Sequence, residues 1–301
     1  MGTLFVVATP IGNLEDLSPR AVRTLREVAL IAAEDTRHSR RLLTHFDIET
    51  PTVSYHEHNQ RKRRELLLDA LRNGDVALIT DAGTPAISDP GADLVASALA
   101  SGHRVSPIPG PSAVAAAVSA SGLIDGPFLT LGFLPRERGE RLRLLGRSAT
   151  TGFPLVLFES AQRFGRTLYD LIEILGDRPA VMMRELSKLH EEVRASSLSA
   201  LQEWAAGTGP RGEIALVIAA AHEAATSESD AEAVVQTLRR SGLSASQTAR
   251  EAAGITGLPR SELYTLAVAV DVSGSVGLEG ELAAPDQDAL QDSFGDQERP
   301  E

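Results

Sequence analysis

Three loops of the chain combine glycine, proline and short polar residues in a way that is typical of ligand binding. Each follows a short apolar run, and the loops are residues 9–13, 81–91 and 109–113. Glycine lets a backbone approach a ligand closely, and proline holds a loop stiff. The longest loop also carries Asp81 and Asp89, whose carboxylates could bind a polar group or accept a proton. We therefore expect the three loops to form one binding site.

The elements that position these loops follow from the apolar periodicity. Short β-branched runs predict buried strands at residues 4–8, 30–33, 52–55, 76–80 and 105–108. Helical spacing between them predicts helices at residues 18–28, 39–46, 61–73 and 92–101. This alternation predicts a parallel α/β sheet, with all three loops at the carboxyl ends of strands, where open α/β sheets bind ligands.

The second half of the chain is less regular. Strands are predicted at residues 128–133, 154–159, 180–185, 192–195 and 214–220, and helices at residues 138–147, 163–175 and 198–206. Three short helices follow at residues 231–241, 246–253 and 261–270, with a spacing that fits a helix-turn-helix or a plain helical cap. Breaks in the pattern divide the chain into residues 1–121, 122–225, 226–271 and 272–301.

The composition narrows the possible functions. The 301 residues include no cysteine, which excludes disulfides, thiolate metal sites and a cysteine nucleophile. Residues 271–301 hold nine acids against one base, so most of the net charge of −12 lies in a stretch that we expect to be a disordered acidic tail. No apolar run reaches the length of a membrane span, and the start lacks the basic region of a signal peptide. We expect a cytoplasmic protein.

Two motifs that suggest a dinucleotide-binding loop and a metal site do not stand in the structural context that either site requires. Residues 207–212 match the G-x-G-x-x-G pattern, but a predicted helix precedes them and a strand follows, the reverse of a dinucleotide-binding loop. In the Y-H-E-H-N string of residues 55–59, alternation along a strand would place His56 and His58 on opposite faces. We therefore predict a polar strand end facing solvent or a ligand, and no metal site.

Nine motifs in order resemble those of one family, the ribosomal RNA small-subunit methyltransferase I family of the tetrapyrrole-methylase superfamily. Five lie in the first half: V-A-T-P-I-G-N-L (7–14), A-E-D-T-R (33–37), S-Y-H-E-H-N (54–59), I-T-D-A-G-T-P-A-I-S-D-P-G (79–91) and P-I-P-G-P-S-A (107–113). Four follow: G-F-L-P (132–135), F-E-S (158–160), E-L-S-K (185–188) and R-G-E (211–213). The resemblance covers roughly residues 3–270.

The resemblance implies a fold of two α/β domains, with a parallel sheet in the first, a mixed sheet in the second, and a small C-terminal helical module. It implies that S-adenosylmethionine (SAM) binds in the cleft between the domains. The family methylates the ribose 2′-hydroxyl of a decoding-centre cytidine of 16S rRNA (cytidine 1402 in the standard rRNA numbering), so the 30S subunit is the expected partner. Superfamily members are commonly dimers, which implies a homodimer. A small-molecule (porphyrinoid-type) methylase and a non-catalytic ribosome-binding protein remain alternatives.

The matching motifs also imply site residues. The expected cofactor contacts are Pro10, Asp81, Gly83, Thr84, Ser112, Ala113 and Phe158. Methyl transfer to a ribose hydroxyl is helped by a proton acceptor. The residues expected to serve the reaction are Asp89, Glu159, Glu185 and Lys188, and the sequence does not choose the base among Asp81, Asp89, Glu159 and Glu185. For Lys188, a phosphate or ribose contact and an ion pair with Glu185 or Glu192 are both open.

Clusters of basic residues are candidates for RNA binding, because phosphate contacts supply most sequence-independent affinity. Three clusters qualify, and their principal members are Arg37, Arg61, Lys62, Arg63, Arg64, Arg138 and Arg141. The alternative for each cluster is a solvated helix face.

Overall fold

The computed structural model describes residues 2–221 and 228–274. Residues up to 223 belong to one compact unit, and residues from 224 belong to a second. No helix within the described ranges is both long and apolar enough to cross a membrane.

The first unit begins with a five-stranded parallel sheet, as predicted. Its strands are β1 (Thr3–Val7), β2 (Leu30–Ala33), β3 (Thr52–Ser54), β4 (Val76–Ile79) and β5 (Arg104–Ile108), in the order β3-β2-β4-β1-β5. The helices are α1 (Pro19–Glu27), α2 (Thr36–His45), α3 (Gln60–Asn73), α4 (Ala92–Ala100) and α5 (Ala113–Ser121), and a 3₁₀ turn spans Leu14–Asp16.

The position of β4 within the sheet explains why its sequence is apolar throughout. Ala77 and Ile79 pack with residues of α1 and α2 on one face, while Val76 and Leu78 pack with residues of α3 and α4 on the other. Successive residues of a strand point to opposite faces, and helices cover both faces of this sheet. All four residues of β4 are therefore buried.

The second sheet is mixed. Its strands are β6 (Leu129–Phe133), β7 (Leu155–Ser160), β8 (Pro179–Arg184), β9 (Glu192–Ser197) and β10 (Glu213–Ile218), in the order β6-β7-β10-β8-β9. Only β6 and β7 are parallel, and the other pairs are antiparallel. Helices α6 (Arg138–Ala149), α7 (Ala161–Leu175) and α8 (Leu198–Thr208) cover one face.

Helix α5, which the periodicity did not predict, covers the other face of the second sheet. Ala117 on α5 is buried in one cluster with Val156, Val181 and Val217 of the sheet. The helix starts directly after the loop of residues 109–112, where the Ser112 hydroxyl accepts a hydrogen bond from the Ala115 backbone N–H. Helix α5 thus fixes the second sheet relative to a loop of the first.

The described part of the second unit, residues 228–274, contains three helices, α9 (Glu228–Arg240), α10 (Ala245–Thr256) and α11 (Arg260–Gly274). They enclose a small core that includes Val235, Ala249 and Leu263. A capping box between Ser244 and Gln247 starts α10. Most of the predicted acidic tail lies outside the described residues.

Candidate functional site

The three loops meet at one edge of the first sheet because β4, β1 and β5 are neighbours. Backbone hydrogen bonds join Thr9 to Gly83 in both directions, at 2.9 and 3.0 Å. The Thr84 hydroxyl donates to the carbonyl of Pro111 at 3.1 Å. Each loop is therefore tied to another, as a preorganised binding site requires.

A cavity lies between these loops and the second sheet. The predicted site residues that line it are Asp81, Gly83, Thr84, Asp89, Ser112, Ala113, Phe158 and Lys188. Pro10 does not line it, although its neighbour Ile11 does. Sequence reasoning missed a second group of lining residues, chiefly Glu34, Phe133, Met183, Glu213 and Ala215.

Glycine allows the two halves of the cavity to approach closely. A Cβ at Gly12 would lie 2.5 Å from Cγ of Lys188 and 2.8 Å from the carbonyl oxygen of Leu186. A Cβ at Gly132, where φ is +59°, would lie 2.6 Å from the Ser88 hydroxyl. Loops of the first sheet thus touch strand β6 and the loop between β8 and β9 at positions where no side chain fits.

Backbone strain is concentrated around the same cavity. Ala86 and Ser88 have φ values of 67° and 65°, and Glu185 and Ser187 have values of 53° and 66°. A non-glycine residue in the left-handed region carries a conformational cost that the surrounding structure must offset, and such residues cluster at functional sites. Four of the five such residues in the described ranges thus lie in the loop after β4 and in the loop between β8 and β9, and the fifth, Asp47, follows α2.

Three carboxylates face one another at the sheet edge. The Asp81 backbone N–H donates to Oε2 of Glu34 at 3.3 Å, and the Asp35 backbone N–H donates to Oδ1 of Asp81 at 3.2 Å. Burial raises the pKa of Asp89 to about 7, and the charges of Glu34 and Asp81 add to this increase. Burial also raises the pKa of Glu34, against the effect of its hydrogen bond from Asp81. Asp89 can therefore exchange a proton near neutral pH.

Glu34 could have been found from the sequence. It directly follows β2, at the same carboxyl edge as the three loops, and it belongs to one of the quoted motifs. An acidic residue shortly after a buried strand at this edge is the same sequence pattern that indicated Asp81.

The expectation for Glu159 is corrected by the structure. Its carboxylate is buried, accepts a hydrogen bond from the Thr167 hydroxyl at 2.7 Å and lies 3.3 Å from the Arg163 guanidinium. Both partners belong to α7, and Glu159 does not line the cavity. A carboxylate with these partners holds β7 to α7 and is not placed to meet a substrate.

Lys188 and Glu185 form an ion-paired group with Glu213. The Lys188 ammonium lies 3.1 Å from Glu185 and 2.8 Å from Glu213, so the ion-pair alternative is present, but not with Glu192. A hydrogen bond from the Glu213 backbone N–H, together with Lys188, lowers the pKa of Glu185. Burial alone would lower the pKa of Lys188, but its bonds to the two carboxylates raise it. Glu185 is consequently a weaker proton acceptor than Asp89.

The expectation that Arg141 binds RNA is wrong, because its guanidinium is buried. It lies 2.6 Å from the carboxylate of Asp170, and it also donates to the carbonyls of Pro135 and Arg136. Arg138 is half-exposed and pairs with Asp170 and Glu173. A guanidinium committed to a buried carboxylate is not available to a phosphate.

The other basic residues that were predicted to bind RNA are exposed or half-buried. Arg37 is exposed and pairs with Asp35 at its own helix start. Arg61 and Lys62 are exposed in the first turn of α3, and Arg63 and Arg64 are half-buried.

The expectation that His56 and His58 lie on opposite faces is also wrong. Strand β3 ends at Ser54, and the turn that follows brings the rings of His56 and His58 to a centroid distance of 6.0 Å. They therefore share one side. Within the described ranges, no three residues of the types His, Cys, Asp and Glu are grouped to hold a metal ion.

Two family models match the chain. The model described as Tetrapyrrole (Corrin/Porphyrin) Methylases matches residues 3–202, and the model described as RsmI C-terminal HTH domain matches residues 225–270. A protein from Synechocystis sp. named "Ribosomal RNA small subunit methyltransferase I" is 43% identical over 279 residues, which cover 91% of this chain and 100% of the relative. A protein of the same name from Pseudomonas aeruginosa is 47% identical over 273 residues, which cover 89% of this chain and 97% of the relative. The chain belongs to the ribosomal RNA small subunit methyltransferase I family.

Solved structures agree with the family's fold. Diphthine synthase matches with a TM-score of 0.58 at 16% identity, covering 73% of this chain and 90% of that one. The cobalamin biosynthetic enzyme cobalt precorrin-4 methyltransferase matches with a TM-score of 0.56 at 16% identity. The match covers 72% of this chain and 94% of that one. The tetrapyrrole-methylase-like fold implied by the motifs is thereby confirmed. The second family model favours the helix-turn-helix interpretation of α9 to α11 over a plain cap.

Proposed function

We propose that this protein is a SAM-dependent methyltransferase that methylates the ribose 2′-hydroxyl of cytidine 1402 in 16S rRNA. The family and the names of the relatives support a methyltransferase of small-subunit rRNA. The observation that carries the proposed chemistry is Asp89, a proton acceptor with a near-neutral pKa in the wall of the cavity between the two sheets.

The residues of the cavity fit SAM. Phe158, Met183 and Ala215 supply an apolar wall of the kind that holds a flat adenine ring. Asp81 and Ser112, from the loops of the first sheet, offer oxygen acceptors for an ammonium group and for ribose hydroxyls. When bound, SAM supplies a methyl group activated on a sulfonium sulfur.

The chain's own residues then have two tasks. The tied loops hold the reacting groups in line and exclude water, which accounts for much of the acceleration in such a displacement. Asp89 would accept the proton that the ribose hydroxyl loses when the methyl group moves from the sulfonium sulfur, which leaves as a neutral thioether, to the hydroxyl oxygen. A base whose pKa lies near the working pH is the most effective for this step, and such a base contributes about 100- to 10,000-fold.

Transfer of labelled methyl groups tests this function. The purified protein is incubated with methyl-labelled SAM and with 30S subunits that lack the modification, free 16S rRNA, or a porphyrinoid acceptor. We expect label in rRNA, mapped by mass spectrometry to the ribose of cytidine 1402. Label only in the porphyrinoid, or in no acceptor, would contradict the proposal.

The assembly state and the place of action follow as proposals. A homodimer is expected from the resemblance, and light scattering after size-exclusion chromatography measures it directly. A protein that acts on ribosomal subunits works in the cytoplasm.

A further inference from the structure

A second cavity lies beside the first along the same edge of the parallel sheet. Its lining residues are Glu34, His56, Glu57, His58, Gln60, Ser88, Asp89 and Pro90. Three of them, Glu34, Ser88 and Asp89, also line the first cavity. The strand order explains this arrangement, because the first cavity lies at the ends of β4, β1 and β5 and the second at the ends of β3, β2 and β4. Asp89 stands in the wall that the cavities share.

The segment that forms the outer wall of the second cavity is held firmly. Tyr55 is fully buried, and its hydroxyl donates to the carboxylate of Asp93 in the first turn of α4. The Asn59 side chain accepts from the His56 backbone N–H at 2.9 Å and donates to the carbonyl of Ser54 at 3.2 Å. The Asn59 amide also contacts Nε2 of His56 at 3.0 Å, so these bonds fix His56 and leave the side chains of Glu57, His58 and Gln60 unused.

Several polar groups of this wall are available to a ligand. Glu57 and His58 are exposed, Gln60 is half-buried, and within the described ranges their side chains form no hydrogen bond or ion pair. A carboxylate accepts hydrogen bonds from an amine, an amide can both donate and accept, and an imidazole ring offers a face for stacking.

Charge changes sign at the rim of the cavity. The lining includes the carboxylates of Glu34, Glu57 and Asp89, and the exposed residues Arg61 and Lys62 directly follow the lining residue Gln60 at the start of α3. A nucleotide has the matching polarity, since its phosphates are anionic and the edge of an amino-substituted base donates hydrogen bonds. Proteins that recognise single-stranded RNA commonly unstack a base and bind its edge in this way.

We propose that the second cavity holds the target nucleotide with its base unstacked, so that the ribose reaches Asp89 and the base lies against Glu57 and Gln60. This inference rests on the proposed function. The Glu57 carboxylate accepts from the exocyclic amine of cytosine, whereas uracil presents a carbonyl there and is repelled. Glu57 is thus a specificity residue, and Tyr55 is a positioning residue that holds its segment.

The test compares two preparations of 30S subunits that differ only in a cytidine or a uridine at the target position. We expect the wild-type protein to prefer cytidine. Glu57→Gln should reduce the cytidine-to-uridine ratio of kcat/KM by about 5- to 150-fold, the effect of one base contact. Glu65→Gln, which neutralises an exposed acid on α3 outside the cavity, should leave the ratio unchanged. The affinity for SAM, measured by calorimetry, should be the same in all three proteins.

A photoreactive thiopyrimidine at the target position gives a readout that does not depend on turnover. It should crosslink to residues 55–60, and a crosslink confined to another segment would overturn the inference. An unchanged base preference in Glu57→Gln, while the wild-type protein methylates 30S subunits, would also overturn it and leave the proposed function standing. Absence of methyl transfer by the wild-type protein would instead refute the proposed function.

Discussion

Replacement of Asp89 by asparagine removes the proton acceptor while keeping the size of the side chain. The pKa of Asp89 is raised to about 7 by burial and by the charges of Glu34 and Asp81. The ionised fraction of such a group rises from about 0.1 at pH 6 to about 0.9 at pH 8. A base works in its ionised form, so the wild-type rate should fall about tenfold as the pH is lowered from 8 to 6. Asp89→Asn should be slower by about 100- to 10,000-fold and should lose this pH dependence.

The assay is kcat/KM for SAM at a saturating concentration of 30S subunits, measured from pH 6 to 8. Glu34→Gln serves as a second perturbation, because it removes one of the negative charges that raise the pKa of Asp89. The midpoint of its profile should therefore move to lower pH. A wild-type rate that does not change across this range, or an Asp89→Asn rate within tenfold of wild type, would refute the reasoning.

As the pH rises, the stability of the folded protein should fall while its activity increases. The folded protein holds a proton on Asp89 up to about pH 7, whereas an unfolded aspartate releases it near pH 3.8. The folded state therefore loses stability relative to the unfolded state as the pH rises through this window. At pH 8 the neutral Asp89→Asn variant should melt no lower than the wild-type protein. A clear loss of melting temperature would show that the slow rate reflects a damaged fold.

Three further changes test other parts of the structure. Arg141→Ala leaves Asp170 buried without its partner, and urea denaturation should show a loss of about 3–5 kcal/mol in the free energy of unfolding. Gly12→Ala forces a Cβ against the loop between β8 and β9, and calorimetry should show SAM binding weaker by about 1–3 kcal/mol. Arg61→Ser combined with Lys62→Ser should flatten the slope of log RNA affinity against log salt by about 1.4, which is 0.7 for each phosphate contact.

Each of these variants has a matched control. Arg143→Ala changes an exposed arginine of the same helix as Arg141 and should leave stability nearly unchanged. Gly146→Ala adds a Cβ that meets open space and should not alter SAM binding. Arg72→Ser combined with Arg104→Ser removes two exposed charges, one at the opposite end of α3 and one at the amino end of β5, and the salt slope should stay as in wild type. A control that behaves like its test variant contradicts the corresponding prediction.

The first sheet could be predicted because its strands are buried on both faces. Such strands give continuous apolar runs, as in β4, and the helices between them give a clear helical period. Helix α5 gave no such signal. It is composed of Ala, Val and Ser alone and contains no charged residue. Its apolar surface packs on the second sheet. A helix built only of small and apolar residues lacks the charged face by which a surface helix is recognised.

The order of the strands was not predictable from local patterns. The loops could be placed at the carboxyl edge, but their meeting depends on β1 lying between β4 and β5. The same limit applies to the charged groups. Glu159 obtains its partners from α7, and Glu185 obtains Glu213 from a strand 28 residues further along the chain. Which carboxylate stays free for chemistry is therefore decided by tertiary contacts.

The loop after β4 has a conformation that its position explains. Strand β4 lies between β2 and β1, so its loop is the one that can border the cavities on both sides. The loop turns sharply at Ala86 and Ser88, which adopt positive φ, and the turn brings Asp89 back to the shared wall. Contacts hold it there, because Gly83 is paired with Thr9 and Gly132 leaves room for the Ser88 hydroxyl. The strain of the loop is thus the conformational cost of presenting one carboxylate to both cavities.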